Sequence, residues 1–142
     1  MPGFPGLVED EDGDYPFVLT SKKSRFYLHS SYRWVERLRR HRPYPRTEIH
    51  PETALKYGIG EGDEVIIETR KGEITQIAHL TERVHPRVIY SDYGWWFPGQ
   101  GEGSQGDWTR SNFNMLTSAK KLGREFGTPN LKGIGCRIRR AV

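Results

Sequence analysis

The sequence predicts a mainly β fold, a small barrel carrying short helices, and three observations lead there. Short apolar or aromatic runs recur between turn residues along the whole chain. Two of them flank the tight turn Arg70-Lys71-Gly72-Glu73 and alternate with a period of two. The only stretch with full helix punctuation, residues 51–58, is short, with Pro51 at its first position and Gly58 just past its end.

Taken in order, residues 15–21 form a first strand that enters a polar turn. Residues 25–31 follow as an aromatic segment ending in small hydroxyls. Residues 32–40 have irregular helical spacing, with Tyr32, Val35 and Leu38 on one side, until Pro43 and Pro45 break it. Residues 47–50 make a short strand. In the helix after it Ala54, Leu55 and Ile59 are expected to face the core. Gly62-Asp63 turns the chain into residues 64–69, and residues 74–80 return with Ile74, Ala78 and Leu80 on one face. Val84-His85-Pro86 turns again before a strand at 88–90. A glycine-rich loop, a compact segment at 111–117 with two asparagines, and a last strand at 134–138 complete the chain. No repeat is long enough to mean a solenoid.

A chain of 142 residues is enough for one domain with a real core. Hydrophobic residues make up a modest 35%, and the 12% of aromatics compensates because each ring buries a large area. No apolar run approaches the ~20 residues of a membrane helix. The start, MPGFPGLVEDEDGDYP, has no basic region before an apolar one, so it is not a secretory signal. The single cysteine, Cys136, excludes an internal disulfide and a cysteine-rich zinc or iron–sulfur site. A cytoplasmic location fits. The net charge of +4 is unevenly spread. EDEDGD at 9–14 closes an acidic leader, residues 1–14, expected to be disordered. RWVERLRRHRPYPR at 33–46 and the terminal RIRRAV are basic, which suits a phosphate, an acidic partner chain or a solvated face.

Gly101-Glu102-Gly103-Ser104-Gln105-Gly106 matches G-x-G-x-x-G, but a dinucleotide loop of that kind needs a strand before it and a helix after it. Here Trp95-Trp96-Phe97-Pro98 precedes it and Asp107-Trp108-Thr109-Arg110 follows, so residues 98–110 are expected to be a mobile loop. The five histidines show no metal-ligand spacing, and no serine sits in a G-x-S-x-G elbow. The residues alone therefore offer no self-contained active site. They offer three polar stretches, Leu19-Thr20-Ser21-Lys22-Lys23, His29-Ser30-Ser31-Tyr32-Arg33 and Ser111-Asn112-Phe113-Asn114-Met115-Leu116-Thr117. Short hydroxyls and amides of this kind donate to phosphates and heterocycle edges, or else cap their own turns.

LTSKK, FYLHSSYR, IHPETALKYGIGEGDEVIIETRKGEI, YGWWFPG, SNFNMLT and LKGIGCRI, in that order, resemble the C-terminal cofactor-binding domain of molybdopterin oxidoreductases. These are the relatives of dimethyl sulfoxide reductase and formate dehydrogenase, and WWFP and SNFN are most similar to the branch that includes acetylene hydratase. The resemblance runs from about residue 15 to the end. It implies a double-psi β-barrel that packs on the rest of a large catalytic chain and covers molybdopterin guanine dinucleotide, with molybdenum or tungsten, a cofactor the isolated chain is expected to lack. Carried over by position, it implies cofactor contacts from Thr20, Ser21 and Lys22, from His29, Ser30 and Ser31, from Asn112 and Asn114, and from Lys132. Trp95 and Trp96 are either packing residues or a face for a pterin or guanine ring. Lys22 stands where the family usually has glycine, His50 where it often has asparagine, which should weaken the helix cap, and Gly99 where it often has glutamate. No iron–sulfur cysteine motif and no upstream domain is present, so the chain looks like an excised domain or a separate small subunit, inactive alone. Two other classes stay open: a basic nucleic-acid-binding barrel using the arginine run, and a structural subunit that docks on a catalytic chain without touching cofactor.

Overall fold

The computed structural model describes residues 13–98, 107–118, 120, 127 and 131–142. Most of the acidic leader and the whole G-x-G-x-x-G segment, with the mobility expected of both, lie outside the described residues.

Six strands close into a barrel: β1 (Phe17–Lys22), β2 (Arg46–Ile49), β3 (Glu64–Thr69), β4 (Gly72–Leu80), β5 (Val88–Asp92) and β6 (Lys132–Arg140). Around the ring the order is β1-β5-β2-β4-β3-β6. The β1/β5 and β2/β4 contacts are parallel and the other four antiparallel. This mixed, closed ring is the mainly β barrel the sequence predicts, with the double-psi arrangement its resemblance implies. Closure leaves no strand edge unpaired. Short helices α1 (Glu36–His41), α2 (Pro51–Lys56) and α3 (Trp108–Ser111) and a 3₁₀ turn (Phe113–Leu116) lie in the connections. Among the described residues no helix is long and apolar enough to cross a membrane.

Strand alternation explains the interior. Leu19, Ile49, Val65, Ile67, Ile74, Ala78, Ile89 and Cys136 point inward and are almost wholly buried. Each large aliphatic side chain removed from water contributes about 1.5–3 kcal/mol. Outward neighbours on β3 and β6 pair by charge: Arg137 with Glu68 at 2.6 Å, and, at the strand ends, Arg140 with Asp63 at 3.0 Å. The β3–β4 turn is held by Thr69, whose hydroxyl donates to the Leu116 carbonyl at 2.9 Å. Gly72 is needed beside it, because a Cβ there would lie 2.7 Å from the Met115 carbonyl oxygen.

The structure corrects three local expectations. Leu55 is 84% exposed, because this one short helix turns Thr53 and Ala54 inward instead. His50 caps α2 rather than weakening it, its Nδ1 accepting from the Glu52 N–H at 3.2 Å. The helix expected at 32–40 starts only at Glu36; Tyr32, at φ +67°, and Val35 lie outside it, both exposed.

Candidate functional site

Antiparallel and parallel pairing together place the C-terminal ends of β1 and β5 beside the N-terminal ends of β2 and β6. Lys22 pairs with Asp92, Thr20 with Lys132, and the Asp92 carboxylate accepts from the Arg46 N–H at 3.0 Å. The polar stretches gather at this end. Tyr93, the first residue after β5, joins β1 through its N–H to the Lys22 carbonyl at 3.2 Å. The His29 ring meets Tyr93 edge-on at 5.4 Å, and Phe113, between the two asparagines, meets it edge-on at 6.4 Å. Gly94, at φ +85°, lets His29 close in, since a Cβ there would sit 3.0 Å from the His29 Cα. His29 is itself held at φ +53°, an uncommon conformation for a residue with a side chain.

The candidate residues differ in what they still have to offer. Ser30, Ser31, Asn114 and Lys132 are exposed, and Thr20 is half-buried. Asn112 caps the 3₁₀ turn, its side-chain oxygen accepting from the Asn114 N–H at 3.1 Å. Ser21 is buried. The Lys22 amine is already engaged at the strand ends, bonded to Glu48 and 3.8 Å from the Asp92 carboxylate. Trp95 is buried against Tyr27, with centroids 4.8 Å apart, and Trp96 lies under the Arg33 guanidinium at 3.9 Å.

Beneath this end sits a polar floor that motif reasoning missed. Gln76 on β4 is wholly buried and satisfied on both sides of its amide. Its oxygen accepts from the Thr47 hydroxyl at 2.7 Å and the Ser91 hydroxyl at 2.9 Å. Its nitrogen donates to the Asp92 carbonyl at 2.9 Å and to the Ser111 hydroxyl at 3.2 Å. Period two in the sequence holds the signal, since Gln76 shares the inward parity of Ile74 and Ala78. Asp92 is fully buried between Lys22 and Arg42, the latter 3.7 Å away. Burial raises its pKa, against the pull of those two cations. Arg33, also missed as a separate feature, keeps Nε and Nη1 buried without an acceptor among the described residues, as does Trp95 its Nε1.

Comparison with known proteins agrees with this geometry. The family described as "Molydopterin dinucleotide binding domain" matches residues 17–135. Dopamine dehydroxylase of Eggerthella lenta is 36% identical over 137 residues, which cover 93% of this chain and 13% of that protein. A putative dimethyl sulfoxide reductase catalytic chain of Halobacterium salinarum is 29% identical over 115 residues, 80% of this chain and 13% of that protein. Among solved structures, acetylene hydratase from Pelobacter acetylenicus superposes with a TM-score of 0.80 at 26% identity, covering 89% of this chain and 18% of its own. The chain thus spans less than a fifth of the length of each of these relatives. A polar, loop-bearing end on a closed barrel and a family match across nearly the whole described region lead to one conclusion: the chain belongs to the molybdopterin dinucleotide-binding domain family.

Proposed function

We propose that the polar end of the barrel holds the molybdopterin dinucleotide through His29, Ser30, Ser31, Asn114, Thr20 and Lys132, as one domain or subunit of a larger molybdenum or tungsten oxidoreductase. The observation that carries this reading is the meeting of three sequence-distant stretches around Tyr93. A dinucleotide presents rings and phosphates together and needs donors from several directions. A neutral hydrogen bond contributes about 1 kcal/mol and a charge-assisted one about 1.5–3, so a tight site needs several that converge.

The donor set fits such a group. The hydroxyls of Thr20, Ser30 and Ser31 and the Asn114 amide donate to no acceptor among the described residues, and Lys132 adds a positive charge beside Thr20. Ser21 and Lys22 act from behind, Lys22 by holding Glu48 and Asp92 at the rim. Trp95 and Trp96 wall the same end, one against Tyr27 and one under Arg33. When bound, the cofactor and its metal supply the redox or hydration chemistry, and the protein supplies position and charge. The substrate and the partner chain follow from the remainder of the enzyme.

Replacing His29 or Asn114 with alanine in the assembled enzyme should lower molybdopterin and metal content per polypeptide while circular dichroism stays unchanged. Full occupancy in both variants would remove the assignment. Loss of binding confined to arginine substitutions at 33–46, with a steep salt dependence on oligonucleotide, would favour the nucleic-acid reading instead.

A further inference from the structure

Beside the Tyr93 cluster lies a small cleft whose chemistry is not accounted for by the barrel. Tyr27, Arg33, Trp34, Arg39, Trp95 and Trp96 line most of it, and its free volume is about 20 Å³, room for about one water-sized group. The guanidinium of Arg33 lies 3.9 Å from the Trp96 ring centre and 4.8 Å from that of Trp34. Stacking of this kind engages the flat face of a guanidinium and leaves its in-plane N–H donors for an acceptor. Two of those donors, on Nε and Nη1, are buried with no acceptor among the described residues. Trp95, only 3% exposed, has its Nε1–H in the same state. The Tyr27 hydroxyl lines the cleft but already donates to the Arg42 carbonyl at 2.6 Å.

Leaving a buried donor unsatisfied costs about 1–3 kcal/mol, more for a charged one, so a native protein places such groups where an acceptor arrives. Among the residues lining this cleft two are arginines and none carries a carboxylate. Burial also lowers the pKa of Arg33, the direction expected of a desolvated cation without a counter-charge.

We propose that Arg33 and Trp95 form an oxyanion subsite that takes one terminal oxygen of a carboxylate or phosphate group. The cleft beside these two residues has room for about one oxygen, and Arg39, which also lines it, adds charge. Indole donates only, so the subsite selects acceptors and rejects ammonium or hydroxyl donors. It stands on its own donors and holds whether or not His29 and Asn114 contact the cofactor.

The test uses the 142-residue chain, with proton NMR following the indole N–H resonances during titration with sodium phosphate and, separately, sodium acetate, against sodium chloride at matched ionic strength. Trp95→Phe identifies the resonance by its loss and keeps an aromatic ring in the core. The expected result is a saturable shift of the Trp95 N–H with phosphate, with acetate or with both. Arg33→Gln should weaken it at least about tenfold, as removal of a charge-assisted hydrogen bond does. Arg33→Lys should recover little, because an ammonium cannot stack and present planar donors together. A shift with phosphate alone assigns the subsite to phosphate groups, and one with acetate alone to carboxylates. No shift across the millimolar range with either anion, or a shift unchanged in Arg33→Gln, overturns the proposal. Should Arg33→Gln fail to fold, the wild-type response of the Trp95 N–H still decides.

Discussion

Along the β3–β4–β6 wall of the barrel, buried and outward residues alternate, and acidic and basic side chains on the outer face are paired across strands. At the loop-bearing end the pattern is the reverse. Leu28, Tyr32, Trp34 and Tyr44 are 45–60% exposed, and among the described residues His29 and Tyr32 hold positive φ and Arg33 and Trp95 keep buried donors without acceptors. The difference teaches that one chain can close a self-paired wall and still present an end whose polar and apolar groups face outward. The end carries apolar surface and donors with no acceptor among the described residues, in a chain that spans 13% of the length of these relatives.

The largest expected effect belongs to the buried floor. Gln76→Leu leaves the Thr47, Ser91 and Ser111 hydroxyls and the Asp92 carbonyl without their shared partner. Denaturant unfolding should show a loss of about 3 kcal/mol, the cost of stranding buried polar groups. Tyr32→Ala, 60% exposed at the other region, should change stability by no more than about 0.5 kcal/mol. Equal losses in the two variants would break the comparison.

A smaller effect is expected where the regions meet. Gly94→Ala forces a side chain into φ +85° and against the His29 backbone. About 2 kcal/mol of strain follows, within the range for such conformations. If the contact is as close as the structure shows, the His29 ring resonances in NMR should also move. A variant as stable as the parent, with those resonances unmoved, would mean that this approach is looser.

The smallest effect sharpens the contrast on the wall side. Burial acts to raise the Glu61 pKa, but hydrogen bonds accepted from the His79 ring and the Leu80 N–H, with the nearby charges, outweigh it and leave the group below its ordinary 4.5. A carboxylate held lower in the folded state than in the unfolded one stabilises the fold above the unfolded value. That contribution is lost as pH falls below about 4.5 and through the lower folded value. Glu61→Gln should therefore flatten the acid limb of the stability profile by a few tenths of a kcal/mol, since the pair is largely exposed. A steeper acid limb in the variant would contradict the sign.

Much of the wall was legible because its signals are local. The expected strand at 64–69 coincides with β3, and the returning strand lies within β4. The polar stretches at 19–23, 29–33 and 111–117 were legible as composition, and their order carried the family resemblance. Residues 25–31 show where local reading stops: an aromatic, hydroxyl-rich run makes only an isolated bridge between Leu28 and Ser31. Leu55 fails for a related reason, because helical spacing alone does not say which side of so short a helix meets the barrel.

By itself, then, the sequence determined the β alternation, the hairpin, the helix between proline and glycine and the family to which the chain belongs, since each is written in neighbouring residues or in the order of motifs. Only the tertiary structure decided that Tyr93 gathers His29 and Phe113, that Gln76 is fully satisfied and that buried donors of Arg33 and Trp95 find no acceptor among the described residues. The physical reason is distance along the chain. Gln76 finds its partners 29 residues earlier and 35 later, and a donor's satisfaction depends on which atoms ring closure brings within about 3 Å of it.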